Sequence, residues 1–329
     1  MVFAGTLLLL SCGKHSCKNY ISLAGRTQGT SYHITYCSAD KVSYQKEIDS
    51  LLAEFDTTFS TYNRQSLITS VNQSVRPVEV NDQFVYLFNV AKEVFRLSDE
   101  TFDPTVGPLV NAWGFGPEVK LKIDSSKIDS LLEFVGFDKV RLEDNRVIKE
   151  DSRIYLDVNG IAQGYAVDLI AGFFDDSGIK NYLVEIGGEV RVKGKNKEGD
   201  LWRIGVDKPK ENNLIPGQDL QVILNLDNNS LSTSGNYRSF YEEDGIKYTH
   251  SINPKTGMPV RSKLLSTTVL HEECIYADAY ATAFMIMGLE ESLKLSRQIK
   301  DLEAYFIYSG EKGSFQTAYT AGFEDMIQQ

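Results

Sequence analysis

The chain has 329 residues, 42% hydrophobic and 24% charged, with a net charge of −11. This is a globular composition on a chain long enough to bury a substantial core, as one large domain or two ordinary ones. The acidic balance, with no long basic run, argues against nucleic acid as the main partner. It leaves room for a small anionic ligand held by local donors or by a metal.

Residues 1–12 read MVFAGTLLLLSC. The apolar run is too short to span a bilayer but suits the core of a secretory signal, although a positively charged start is missing. It ends in Leu9-Leu10-Ser11-Cys12-Gly13, which resembles the lipobox of bacterial lipoproteins, with Cys12 as the residue to be lipidated. The expectation is an exported protein, lipid-anchored to a bacterial membrane and facing the periplasm or the cell exterior. Residues 13–20 read as a short polar tether, and 21–329 as one compact catalytic unit. Cys17, Cys37 and Cys274 remain, three scattered thiols that leave room for one disulfide and offer no CxxC zinc pair.

Along the unit, loose alternation predicts a strand over 31–37. Ile48, Leu51, Leu52, Phe55 and Phe59 give an amphipathic helix over 41–58, and Val85, Phe88, Ala91 and Phe95 a second over 82–98, capped by Asn81 or Asp82. The stretch TFDPTVGPLVNAWGFGP (101–117) is too rich in Gly and Pro for a regular element. A short helix follows near 126–135, then a strand at 153–158, a turn, and a helix at about 161–176. Strands are expected at 181–186, 189–194, 201–207, 219–226, 246–252 and 264–271. Helices at 276–288 and 289–300 and a hairpin turning near Glu311 end the chain. Strands in runs, without strict βαβ alternation, indicate an α+β fold with mixed or antiparallel sheets flanked by helices, in two lobes.

The helix YADAYATAFMIMG (276–288) poses the main chemical question. Its face is apolar or small except for Asp278 and, one turn on, Thr282, and Gly288 stops it. A carboxylate and a hydroxyl so placed offer two oxygen ligands to Mg²⁺. Alternatively Asp278 pairs with a cation or caps, and Thr282 bonds back to a helix carbonyl. LDVNGIAQGYAVD (156–168) sets Gly160, Ala162 and Gly164 at a helix start, where glycines admit a ligand to the backbone or simply make a tight turn. Gly187-Gly188 reads as a turn between strands. Ser232, Thr233 and Ser234 before Gly235 can contact phosphate or ribose, or form a turn. His250 stands in polar company in THSINPKTGMPV, as a catalytic or a structural histidine.

Taken in order, these segments closely resemble the ApbE family of flavin transferases. The resemblance runs from GTSYHITY (29–36) to Gly288 and includes FSTYN (59–63), TFDPTVGPLVNAWGFG, LDVNGIAQGYAVD, Gly187-Gly188, LSTSGNYRSF, THSINPKTGMPV and ADAYATA. It implies an ApbE-like fold in which FAD binds in a cleft with Mg²⁺ on its pyrophosphate. A threonine or serine hydroxyl of an acceptor protein attacks the phosphorus on the FMN side, AMP leaves, and FMN stays on the acceptor as a phosphoester. Residue by residue, Asp278, Thr282 and the backbone oxygen of Ala162 match metal ligands. His250 matches the family's histidine near the reacting phosphates, giving His250 and Asp278 as the catalytic pair. Ser60, Thr61 and Tyr62 match a segment lining the flavin. Asp103 matches an acid contacting FAD, and Ser232, Thr233, Ser234 and Gly235 another FAD-contacting loop. Gln163 stands where the family often carries lysine, keeping hydrogen bonding but not charge toward the cofactor's phosphates.

The family's acceptors are membrane redox subunits, such as those of Na⁺-pumping NADH:quinone oxidoreductase and the related Rnf complex, which suits a lipid-tethered enzyme. Two alternatives use the same residues: a metal-dependent FAD pyrophosphatase releasing FMN and AMP to water, and a flavin-binding lipoprotein without catalysis. Retention of Asp278, Thr282 and His250 weighs against the pure binder.

Overall fold

The structure is a computed structural model and describes residues 18–115, 124–210, 213, 215, 217–236, 240–243, 246–249, 251–311 and 314–328. The signal segment, most of the tether and His250 lie outside these residues. Tyr32, Ile34 and Tyr36 alternate inward on β2 (Thr30–Cys37), as expected of the strand at 31–37. An unforeseen strand, β1 (Tyr20–Thr27), pairs with it along its length, so the chain is already sheet at Tyr20, where a tether was expected. Being an edge strand with half-exposed residues, β1 lacks the apolar stripe that would announce it.

These two strands begin an eight-stranded sheet. It continues through β6 (Tyr182–Ile186), β7 (Glu189–Lys193), β10 (Asn229–Gly235), β13 (Leu264–His271), β14 (Glu303–Ser309) and β15 (Phe315–Tyr319). Smaller sheets are β3 (Val78–Glu79), β5 (Arg146–Lys149) and β4 (Val140–Glu143), the hairpin β8 (Trp202–Asp207) with β9 (Leu220–Leu226), and β11 (Phe240–Glu243) with β12 (Ile246–Thr249). All these pairings are antiparallel, in agreement with the expected fold class.

One face of the large sheet is covered by helices α1 (Gln45–Phe59), α3 (Asp82–Leu97), α6 (Ala162–Asp176) and α7 (Cys274–Met287). Ile48, Phe84, Phe174 and Phe284 from these helices share a core with Ile34, Val184 and Phe306 of the sheet. The other face buries Val190, Val192, Leu231 and Ile307 under Trp202, Ile204 and Leu224 of the β8–β9 hairpin. A separate small cluster joins Leu109, Trp113, Ile128 of helix α5 (Ser125–Leu132), Val135 and Ile252.

Three expectations change. The stretch 101–117 contains a short helix, α4 (Gly107–Ala112), started by a proline in its first turn. Residues 153–158, expected as a strand, form none. Instead Asn72, at the end of an unpredicted helix α2 (Leu67–Gln73), plays the ladder partner: its amide accepts from Leu156 N at 2.7 Å and donates to Leu156 O at 2.9 Å. The serine-threonine stretch expected as a ligand loop is β10, a central strand between β7 and β13. Small residues suit that position because α7 packs directly on β10 and β13: Ser230 Oγ donates to Glu272 O, just before that helix, at 3.0 Å, and Thr267 Oγ1, on β13, to Ala281 O within it at 3.0 Å. Cys37 is disulfide-bonded and Cys274 is a buried free thiol. Among the described residues no helix is long and apolar enough to cross a membrane.

Candidate active site

α7 ends at Gly288, at φ 82°, as its sequence indicates. Asp278, on this helix, is 5% exposed, and its Oδ2 accepts the Gly164 N–H at 2.9 Å. One turn on, Thr282 Oγ1 makes a long hydrogen bond to Gly160 O at 3.4 Å. The two glycines make this junction possible. A Cβ on Gly164 would stand 2.4 Å from the Cys274 carbonyl oxygen and 2.7 Å from Asp278 Cβ, and one on Gly160 3.0 Å from Thr282 Cγ2. Glycines expected to admit a ligand therefore admit a helix. Ala162, between them, opens α6.

Asp168, later on α6, holds the other end of α7. Its carboxylate accepts from Cys274 N at 2.9 Å and Ile275 N at 2.8 Å, capping the helix from outside. Arg191 Nη1 lies 2.5 Å from the same carboxylate. Burial raises the Asp168 pKa and the Arg191 charge opposes that shift. Glu189, on β7, is 9% exposed; its Oε1 accepts from Ser232 Oγ at 3.2 Å, and its Oε2 is buried without a hydrogen-bond partner among the described residues. Burial, and then the neighbouring Asp278 charge, raise its pKa well above the usual carboxylate range. Burial pushes Asp278 itself up to about 7, against the opposing Gly164 N–H bond.

Gln163 donates to Ile186 O at 2.7 Å and lies over Gly187, where a Cβ would stand 1.9 Å from its amide nitrogen. It therefore ties the start of α6 to the Gly187-Gly188 turn, whose φ values of 60° and 114° need glycine. Ser232 and Ser234 face α7 with Glu189, whereas strand alternation turns Thr233 to the opposite face, where its Oγ1 lies 2.9 Å from Thr268 Oγ1. Gly235 closes the strand. Thus Asp278, Thr282, Ala162, Gln163, Ser232 and Glu189 gather around one junction.

The remaining expected residues stand apart from it. Ser60, Thr61 and Tyr62 form the turn after α1, Tyr62 being 75% exposed. Asp103 accepts from Thr105 N at 2.7 Å, Thr105 Oγ1 at 2.6 Å and Phe137 N at 3.3 Å. It borders a cavity of about 310 Å³ lined also by Gly136, Lys139, Pro254 and Lys255. A larger cavity of about 520 Å³, lined by Arg203, Val222 and Ile327, brings none of the expected residues together. A hydrogen bond from Asp157 N to Pro104 O, 2.7 Å, links the Asp103 loop to the stretch before Gly160. The turn after His250 is held firmly. Ser251 Oγ donates to Asn236 Oδ1 at 2.8 Å, Ile252 is buried, and Trp113 Nε1 donates to Gly257 O at 2.8 Å.

Sequence reasoning passed over Glu189, Asp168, Arg191 and Asn72. Glu-Val-Arg-Val-Lys reads as a strand with one wet face, and only the packing of α6 and α7 makes that face an interior. The junction suits a hard divalent cation. Its donors are oxygens, and Asp278 has no cationic side chain as a partner among the described residues. No group of three or more His, Cys, Asp or Glu that could hold a metal occurs among those residues. A site here is thus of the sparse kind, one carboxylate helped by hydroxyl and backbone oxygens.

Residues 28–306 match the model of the ApbE family. The FAD:protein FMN transferase of Vibrio cholerae is 36% identical over 304 residues, 90% of this chain and 89% of that protein. The FAD:protein FMN transferase of Haemophilus influenzae is 33% identical, over 99% of this chain and 96% of that protein. The solved flavin transferase ApbE from Vibrio cholerae superposes with a TM-score of 0.85 at 34% identity, covering 94% of this chain and 99% of that one. The apo flavinyl transferase ApbE of Pseudomonas stutzeri gives 0.84 at 31% identity, over 94% and 96%.

Proposed function

The chain belongs to the ApbE family, and on that premise we propose that it transfers the FMN half of FAD to a threonine or serine hydroxyl of an acceptor protein. The observation that carries this reading is the Asp278–Thr282 pair, set on a buried helix against Gly160 and the start of α6. The acceptor oxygen attacks the FMN-side phosphorus, the bond to the AMP phosphate breaks, and the hydroxyl proton is given up. FAD and the acceptor become a flavin phosphoester and AMP.

Asp278, Thr282 and the Ala162 carbonyl would hold Mg²⁺, which when bound neutralises pyrophosphate charge. His250 takes the hydroxyl's proton or stabilises developing charge. Ser60, Thr61 and Tyr62 line the flavin, and Asp103, Gln163, Ser232, Ser234 and Gly235 complete the FAD cleft, which Thr233, its side chain on the opposite face of β10, would reach only through its backbone. Gln163 brings no charge and already donates to Ile186 O, so more of the phosphate charge falls to the cation. A lipid on Cys12 would keep the enzyme at the outer side of a bacterial membrane, beside a redox subunit as acceptor.

The test measures AMP released from FAD by the chain starting after Cys12, with Mg²⁺ or EDTA, and with or without a threonine-containing acceptor peptide. Metal-dependent AMP matched by flavin fluorescence on the peptide is expected, and Asp278→Ala should abolish it. AMP and free FMN regardless of peptide would make the protein a pyrophosphatase. Bound FAD without AMP under any condition would make it a carrier, and an Asp278→Ala variant that still turned over with Mg²⁺ would sink the metal assignment.

A further inference from the structure

Strand β7 presents three charged side chains to the helix layer, because Val190 and Val192 take the alternate positions toward the other core. Two of the three meet an opposite charge on α6: Arg191 lies 2.5 Å from Asp168, and Lys193 2.7 Å from Asp175. The third, Glu189, meets none. Ser232 satisfies one of its oxygens at 3.2 Å, and the other is buried and unpartnered among the described residues. The charge that bears on it most is that of Asp278 on α7, also acidic, with the Cys274 thiol close by. A buried polar atom left unpaired is costly, and a second carboxylate beside it adds repulsion. The pattern of β7 therefore lacks one positive charge, at the place where α7 presents Asp278.

We infer that Glu189 is a positioning residue of the divalent-cation site, its free oxygen accepting hydrogen bonds from water carried by the cation at Asp278 and Thr282. The inference rests on the metal reading proposed above. It places Glu189 one layer out, since no trio of acidic, His or Cys side chains converges among the described residues. Mg²⁺ and its relatives usually keep several waters, and groups that orient such an outer layer typically contribute about 10- to 100-fold in metal affinity.

The experiment titrates Mn²⁺ alone, without flavin, into the chain starting after Cys12, following free Mn²⁺ by electron paramagnetic resonance. Melting temperature is recorded with EDTA and with Mn²⁺. Glu189→Gln keeps the side-chain shape and can still accept from Ser232, so a merely structural role would survive it. The expected result is Mn²⁺ binding about 10- to 100-fold weaker than the parent's, a smaller Mn²⁺-induced rise in melting temperature, and no loss of melting temperature in EDTA. Ser232→Ala, which frees the other oxygen, should weaken Mn²⁺ binding in the same direction and serves if Glu189→Gln does not fold. Parent-like affinity in the folded variant overturns the role of Glu189 and leaves the metal reading standing. A parent chain that binds no Mn²⁺, or binds it equally well after Asp278→Ala, overturns both.

Discussion

Asp103 and Asp278 are both buried acids, yet their surroundings differ. Asp278 has the Gly164 N–H as its hydrogen-bonded protein partner, whereas Asp103 takes three hydrogen bonds from Thr105 and Phe137. Burial outweighs those bonds and pushes Asp103 up to about 6 from its ordinary 3.8. The folded state therefore keeps a proton that the unfolded chain has given up. Its stability falls as pH rises from about 4 to about 6, and the loss is complete above that. Asp103→Asn should lose this component: relative to the parent, its unfolding free energy should rise by up to about 3 kcal/mol across that window. Denaturant melts from pH 4 to 8 check it, and a flat difference would refute the shift. At this scale the sequence was informative for Asp278, because a charge in an apolar helix stands out. It was silent for Glu189, whose alternation with valine looks the same whether its face meets water or a helix.

At the scale of elements, α6 carries its own control. Gly164 is packed against backbone of α7, with the Cys274 carbonyl 2.4 Å from any added Cβ, while nothing lies within 4 Å of one added at Gly172. Gly164→Ala should destabilise the protein by about 1–3 kcal/mol through overpacking and weaken Mn²⁺ binding by pushing Asp278 away. Gly172→Ala, on the exposed face of the same helix, should stabilise by roughly 0.5–1 kcal/mol. Thermal melts of both variants decide; equal effects would mean that α6 and α7 do not touch as described. Most long elements were legible: the expected helices at 41–58, 82–98 and 161–176 correspond to α1, α3 and α6, and strand 264–271 to β13. β10 was not, because Ser-Leu-Ser-Thr-Ser carries the polarity of a loop. Its small side chains let α7 pack against it, and its hydroxyls are satisfied by Glu272 just before that helix, by Glu189 on β7 and by Thr268 on β13. Residues 154–158 misled in the other direction, their extended backbone being satisfied by one asparagine rather than by a neighbouring strand.

Across the whole molecule, the small cluster of Leu109, Trp113, Ile128, Val135 and Ile252 stands apart from the two main cores. It supports the turn that follows His250, since Trp113 Nε1 holds Gly257 O at 2.8 Å. Trp113→Ala should cost about 3–5 kcal/mol locally. Hydrogen exchange should then lose protection over 107–113, 125–132 and 251–260, with the large sheet protected as before. Mn²⁺ binding should persist while FMN transfer falls, separating the metal junction from the His250 turn. Uniform loss of protection would show instead that the cluster is one cooperative unit with the sheet.

The sequence by itself determined the fold class, the buried helix with Asp278 and Thr282, and the order of motifs that marks the family, because these depend on local periodicity and on residue types that are unusual where they stand. Only the tertiary structure decided that Gly160 and Gly164 serve the contact between α6 and α7, that Ser232 and Thr233 face opposite ways, and that Glu189 is an interior charge. Each of these depends on which surface covers a given face, and that is set by contacts between segments distant in sequence, 114 residues apart for Gly164 N–H with Asp278 and 43 for Ser232 with Glu189.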